Sequence, residues 1–378
     1  KGLSLFIVPK KRQDENNTLI SNDVRAVGIY HKMGQQSTPA MHLEFGAEND
    51  CMGYLIGEEN QGMKYMFQMM NSSRLGVGLA GTYIASAAYY TSLQYAKERV
   101  QGRRLNDKNA NTDPVPIIQH PDVRRLLLKQ KSFIEGSLSL ILQCHWYQDS
   151  LAITDSPEEK IRYHQLLELL TPVVKAYGSE EGHASVQAGL QVLGGYGYTR
   201  DFILEQLARD VRIMSIYEGT TAMQAQAVLG RQILSTEGSI LEIWQSETGK
   251  DIDFAMIHIM LGPYITTCKE AIREFILISN DLVLKTRSIL PEKTMVNATI
   301  YLEWFSILNL AWQWIKQAAV ACKALEQTLS NEDKLFYQSK LQTMKYFFQY
   351  EFPKAIALKT TFLENETLTL FNENEILI

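Results

Sequence analysis

Cysteine is scarce. Only Cys51, Cys144, Cys268 and Cys322 occur in 378 residues, with no CxxC pair and no zinc spacing. A disulfide framework is therefore excluded, and free thiols in a reducing compartment are expected, which points to a cytoplasmic protein. Long apolar runs are missing too. The best candidate, Ala298–Ala321, is interrupted by Glu303, Gln313 and Lys316, so no stretch reaches the ~20 apolar residues of a membrane span. There is no surplus of positive charge: the formal net charge is −5, and from Asp251 onward 12 Lys and Arg stand against 15 Asp and Glu. That balance gives no electrostatic reason to expect nucleic acid as a partner. The histidines form no constellation with carboxylates, so no metal is expected. Internal repeats and low-complexity segments are absent as well.

What remains is an ordinary globular composition, 46% hydrophobic and 21% charged, long enough for two or three domains with their own cores. Lys1–Ile56 reads as β. Leu3–Val8 is a short apolar run ended by Pro9, Ala40–Phe45 alternates, and the charged stretch Lys10–Asn17 reads as a loop. From Gly62 the pattern turns helical, with Met63, Met66, Phe67 and Met70 at helical spacing and small residues at Gly76, Gly78, Ala80 and Gly81 for close helix packing. Leu105–Pro116 reads as a loop. Pro121–Leu151 and Glu158–Tyr177 read as long helices parted at Ser156-Pro157, a helix-start signal. Several long helices with short links imply a bundle. A break is expected at Ser246–Lys250. Asp251–Tyr350 then reads as helical again, with Trp304, Phe305, Trp312 and Trp314 on apolar faces, and Thr361–Ile378 as a strand or extended arm.

The richest stretch is Gln191–Gln224. A glycine loop, Gln191-Val192-Leu193-Gly194-Gly195-Tyr196-Gly197-Tyr198, leads into an Arg- and Asp-rich helical pattern. Tyr217-Glu218-Gly219-Thr220 follows, with one carboxylate between an aromatic residue and a glycine. This stretch resembles the acyl-CoA dehydrogenase family. Further matches run in family order: Lys1-Gly2-Leu3-Ser4-Leu5-Phe6-Ile7-Val8-Pro9, Gly57-Glu58-Glu59-Asn60-Gln61-Gly62-Met63 and Tyr95-Ala96-Lys97-Glu98-Arg99. Met69-Met70-Asn71, Gln101-Gly102-Arg103 and His120-Pro121-Asp122-Val123-Arg124 resemble the large bacterial branch with an added C-terminal domain, to which 3-methylthiopropionyl-CoA dehydrogenase-like enzymes belong.

The resemblance implies a mainly α fold. Residues 1–60 would be the second half of a middle β-domain, 61–246 the C-terminal helical bundle and 247–378 an extra helical domain. Because family members begin upstream of the match to Lys1, the chain is expected to be the C-terminal part of a longer protein. The activity implied is flavin-dependent α,β-dehydrogenation of an acyl-CoA thioester to trans-2-enoyl-CoA. Glu218 would be the α-proton base, and hydride would pass to flavin N5.

Some relatives carry the base at a position matching Ser73, which cannot serve, and this strengthens the assignment that the Tyr217–Thr220 resemblance implies for Glu218. Tyr217, Gly219 and Arg74 would face the substrate, with Arg74 orienting Glu218 or lying near the thioester. Arg99 would reach the FAD pyrophosphate, a use suited to a guanidinium fork. Gln191, Gly194 and Gly195 would pack on the adenine end and pyrophosphate, and Thr220 would lie near the cofactor. Ala222 stands where relatives have Gln, with Gln224 two residues beyond. His120 reads either as a flavin contact or as a helix cap. Arg209, Asp210 and Arg212 read as a structural ion-pair set. An electron-transfer flavoprotein partner and a homodimer or tetramer are implied. An acyl-CoA oxidase, a non-catalytic scaffold and a dehydrogenase-like DNA-protection protein are the competing readings, the last opposed by the acidic C-terminal segment.

Overall fold

The structure, a computed structural model, describes residues 1–106, 109, 111–286, 291–364 and 368–370. Contacts divide the chain into two compact units, Lys1–Ser73 and Arg74–Ile378.

The first unit carries short antiparallel pairs. β1 (Leu5–Ile7) pairs with β6 (Tyr54–Ile56), β2 (Lys11–Gln13) with β3 (Leu19–Ser21), and β4 (Val24–Ile29) with β5 (Met41–Phe45), with a register shift between Ala26 and Gly28. Asn22 ties these pieces together. It is fully buried, its Nδ2 donates to the carbonyls of Pro9 and Met52 at 2.7 and 2.8 Å, and its Oδ1 accepts from the Met52 N–H at 2.9 Å. The loop expected at Lys10–Asn17 is instead one arm and the turn of the β2–β3 hairpin. The Asp14 carboxylate accepts from the N–H groups of Asn16 and Thr18, and Asn17 takes a positive φ of 60°. Side chains that suggest a loop by their charge here sit on a largely exposed hairpin, where a ladder of backbone bonds needs no apolar alternation.

Among the described residues the helices run in the order α1 (Gly62–Glu98), α2 (Pro121–Ile153), α3 (Pro157–Leu193), α4 (Leu204–Val211), α5 (Thr221–Gln226), α6 (Ser239–Ala255), α7 (Gly262–Thr286), α8 (Pro291–Met295), α9 (Ala298–Leu325), α10 (Asn331–Tyr346) and α11 (Pro353–Glu364). The unit boundary falls within α1. In the second unit α3 extends well past the end expected at Tyr177. It continues because Gly178 and Gly182 face the glycines of α1: a Cβ on Gly81 would lie 2.4 Å from the Gly178 carbonyl, and one on Gly78 would lie 2.5 Å from the Val174 carbonyl. Small residues thus bring the two backbones together rather than break either helix.

Before α3, the Ser156 hydroxyl accepts from the Glu159 N–H at 3.3 Å, with Pro157 at the first helical position. Ser156→Ala should cost ~1 kcal/mol in chemical denaturation, the usual worth of such a cap; no change would mean that neighbouring contacts alone set this helix start.

α9 is buried on nearly all sides. Trp304, Trp312 and Trp314 are 1% exposed or less, and Phe305 is fully buried. The indole N–H of Trp314 donates to the Ser132 carbonyl of α2 at 3.1 Å, and that of Trp312 to the Asp251 carboxylate at 2.8 Å. One hydrophobic cluster runs from Leu75 through α3, α6 and α7 to Phe362. The C-terminal helices are therefore packed into the same core as the bundle. The break expected at Ser246–Lys250 lies inside α6. Its inward positions Leu241, Trp244, Glu247, Thr248, Ile252 and Ala255 keep helical spacing. Glu247 occupies a core position because the Tyr147 hydroxyl and the Lys250 ammonium bond its carboxylate at 3.1 and 2.8 Å, which hides the periodicity from a purely apolar reading. Thr361–Glu364, expected in a strand or arm, completes α11; Leu368–Leu370 forms one 3₁₀ turn, and residues 371–378 lie outside the described residues. No helix among the described residues is long and apolar enough to cross a membrane.

Candidate functional site

The predicted residues fall into two groups, both in the second unit. The first is centred on Glu218. A 3₁₀ turn, Arg212–Ser215, ends just before Tyr217, and α5 begins at Thr221. Between them Glu218 takes φ +55° and Gly219 φ +89°. A left-handed conformation at a non-glycine residue costs ~1–3 kcal/mol and persists only where the surroundings impose it. Here they do so through the carbonyls. Arg74 Nε donates to the Glu218 carbonyl at 3.3 Å. Gln224 Nε2 donates to the same carbonyl at 3.1 Å and to that of Gly219 at 3.0 Å. Lys175 Nζ donates to the Gly219 carbonyl at 2.6 Å. Arg74 is 8% exposed, and Gln224 and Lys175 are fully buried.

Three polar side chains from α1, α3 and α5 thus grip two successive carbonyls from the interior. The Glu218 side chain is only half-buried, and its N–H meets no acceptor among the described residues. Tyr217 is half-exposed beside it, and its hydroxyl lies 3.1 Å from Met214 Sδ. Gly219 leaves no room for a side chain, since a Cβ would approach Gln224 Nε2 to 2.8 Å. Thr220 is exposed at the start of α5, and its side chain makes no capping bond.

The electrostatics of this group follow from burial. Desolvation pushes the Arg74 guanidinium below its usual range, and Arg231 nearby adds to the effect, while Glu218 and Glu168 oppose it. Burial likewise pushes the Lys175 ammonium down to about 8. Glu180 and Glu218 favour the charged form there, and Arg74 disfavours it.

The second group surrounds the end of α1. Tyr90, Gln94, Tyr95, Glu98, Arg99 and Phe202 line a surface groove of about 660 Å³. Arg99 is exposed, and its guanidinium lies 3.4 Å from Gln101 Oε1. Phe202 joins this groove to the glycine loop: its ring meets Tyr95 at 5.5 Å and Tyr196 at 6.2 Å between centroids. Gln191 is exposed near the end of α3, where its carbonyl accepts from the Gly194 N–H. Gly194 has φ +61°, and a Cβ on Gly194 or Gly195 would meet nothing within 4 Å. Backbone is thereby presented to open space on a loop whose Tyr196 meets the aromatic wall of the groove. A diphosphate with an aromatic base fits these donors: a fork for phosphate oxygens, bare backbone for close approach and rings for stacking. Glu98 is the one carboxylate among the described residues that line the groove.

His120 precedes α2 without a side-chain cap; its Nε2 lies 2.8 Å from the Gln101 carbonyl, so it fastens the segment after Arg99. Of the expected ion-pair set, Asp210 favours the charged form of Arg209, and each member also has other partners. Arg209 bonds Glu205 one turn back, Asp210 accepts from Gln206 at 3.3 Å, and Arg212 faces Glu180 at 3.8 Å. Sequence reading missed Lys175 altogether. The available signal was a single cation in the otherwise uncharged run Leu169–Ser179 of a helix. Gln224, two residues beyond the position where relatives have Gln, points inward to the turn. All four cysteines are free, and burial pushes the thiols of Cys144 and Cys268 up to about 12, so these two are inert packing groups. No cluster of metal-ligating side chains occurs among the described residues.

The family model described as acyl-CoA dehydrogenase, C-terminal domain, matches residues 60–233, and one described as acetyl-CoA dehydrogenase C-terminal like matches residues 242–370. A butyryl-CoA dehydrogenase of Syntrophomonas wolfei is 33% identical over 92% of this chain and 57% of its own length. A 3-methylmercaptopropionyl-CoA dehydrogenase of Ruegeria pomeroyi is 40% identical over 63% of this chain and 40% of its own. The chain thus spans about half the length of these relatives. Among solved structures, an acyl-CoA dehydrogenase from Bacillus anthracis complexed with FAD has the same fold, with TM-score 0.65 and 18% identity over 94% of this chain and 62% of that one. The two matched segments and these relatives together place the chain in the acyl-CoA dehydrogenase family.

Proposed function

We propose that the intact protein dehydrogenates an acyl-CoA thioester to trans-2-enoyl-CoA, with FAD as cofactor and Glu218 as the base that removes the α-proton. The observation that carries this reading is the turn itself: a strained Glu held by its own and the next carbonyl, so that the carboxylate stays available while its backbone is fixed. A positioned base of this kind is what abstraction of a weakly acidic proton requires.

In this reading the Glu218 N–H donates to the thioester oxygen. That fixed donor offsets charge building on the oxygen as the proton leaves. Arg74 keeps the turn in register, and Tyr217 and Gly219 border the acyl chain. Bound FAD supplies the two-electron acceptor; Arg99, Gln191, Gly194, Gly195 and Thr220 would hold it. The names of the relatives support an acyl-CoA substrate. We further assign electron-transfer flavoprotein as the electron partner, a homodimer or tetramer as the assembly, a cytoplasmic location and domain limits at residues 60 and 246.

The direct test is conversion of short and long acyl-CoA thioesters by the intact protein, with a dye as electron acceptor. Absence of any enoyl product across chain lengths would sink the proposal. Arg99→Ala should lower the flavin retained through gel filtration by about tenfold or more, a loss in line with removing a charge-assisted phosphate contact. Full flavin occupancy in that variant would remove Arg99 from the cofactor site.

A further inference from the structure

We propose that Lys175 is a positioning residue for the Glu218 base: it holds the left-handed turn through the Gly219 carbonyl. The inference rests on Glu218 acting as base.

Lys175 is the only charged side chain without any exposure among the described residues. It sits on α3 in an apolar stretch, flanked by Val173, Val174 and Ala176, all 2% exposed or less. Burying an ammonium is costly unless it is paired or well bonded. No carboxylate pairs with it within salt-bridge distance among the described residues. Its short bond, 2.6 Å, goes to a backbone carbonyl in the one turn that carries the candidate base. The charged groups around it are few: Glu180 on its own helix, Arg74 on α1 and Glu218 on the turn, with Arg231 and Glu168 beyond Arg74. A lysine kept at such cost against a backbone carbonyl is best explained by what the carbonyl anchors. Gln224 divides its amide between the Glu218 and Gly219 carbonyls, and Arg74 reaches only that of Glu218. Lys175 adds the charge-assisted bond that fixes the second peptide of the turn, and so the direction of the Glu218 side chain.

The bond is strongest while the ammonium keeps its proton, which burial limits to pH values below about 8. Turnover should therefore decline above that pH as the donor becomes a neutral amine.

The test uses the intact, flavin-loaded protein. Lys175→Met keeps volume and removes the donor. It should lower kcat by about 10- to 100-fold with KM within about threefold of wild type, the signature of a misplaced base rather than lost binding. Amide hydrogen exchange across residues 214–224 should speed up, and the alkaline decline near pH 8 should disappear. Lys175→Arg retains a cation that does not titrate, so it should keep most of kcat and run flat through that pH range. Wild-type kcat and unchanged exchange in Lys175→Met would overturn the inference. Should Lys175→Met fail to fold, an alkaline decline in Lys175→Arg identical to wild type would overturn it instead. Glu218→Gln separates the two readings. If that variant keeps turnover, the base assignment itself fails. If it loses turnover while both Lys175 variants behave as wild type, only the role of Lys175 fails.

Discussion

Glu218→Gln in the intact protein should lower turnover by about 10²- to 10⁴-fold, the usual worth of a positioned general base, while the flavin content stays at the wild-type level. The substitution is nearly isosteric and leaves the backbone untouched. The carbonyls of Glu218 and Gly219 keep their bonds to Arg74, Gln224 and Lys175, so the turn should persist. What is lost is the capacity to take a proton. Because the predicted cofactor contacts at Arg99 and Gly194 belong to a separate group of residues, flavin binding should be insensitive to the change. Turnover within about twofold of wild type would exclude Glu218 as the base, since even weak general bases contribute more than that.

The largest stability effect is expected at Trp244. It is fully buried, its indole N–H donates to Asn309 Oδ1 at 2.9 Å, and its ring meets Phe305 at 4.9 Å and Phe275 at 6.0 Å between centroids. Trp244→Ala removes the anchor that α6 drives into α7 and α9, and should cost ~3–5 kcal/mol. Trp244→Phe retains most of the ring packing but strands the Asn309 amide oxygen, and should cost less, ~1–3 kcal/mol. Chemical denaturation of the three proteins checks both values. An Ala variant no less stable than the Phe variant would mean that the α6–α9 contact contributes little to holding the C-terminal helices in the core.

Much of this architecture was legible in the chain. The tryptophans of α9 announced a buried helix because large aromatic side chains at helical spacing have few other places to go. Gly78 and Gly81 announced a close helix crossing, and the partner glycines on α3 confirm it. The Ser156-Pro157 start was read correctly because capping is a local signal.

The failures have other causes, chief among them a deciding contact that lay far away in sequence. Glu247 looked like part of a linker because its partner, the Tyr147 hydroxyl, belongs to α2. The β2–β3 hairpin was hidden because its strands are exposed and carry no apolar alternation. At the candidate site, the Tyr217–Thr220 motif could be found by resemblance, but its mechanics could not. Nothing in the spacing of Arg74, Lys175 and Gln224 says that all three converge on two adjacent carbonyls. Arg74 was expected to orient Glu218 or to lie near the thioester; that it grips the backbone carbonyl, as its 3.3 Å bond shows, is a fact of the fold.

Anaerobic addition of an acyl-CoA to the intact, flavin-loaded protein is the most direct test of whether this chain carries the working half of a dehydrogenase. Bleaching of the visible flavin band, with equimolar formation of trans-2-enoyl-CoA, is the expected result, and the Glu218→Gln variant should not bleach. A protein that holds FAD yet keeps its band unchanged with acyl-CoA thioesters of every length would contradict the assignment of the Glu218 turn as the site of α-proton removal.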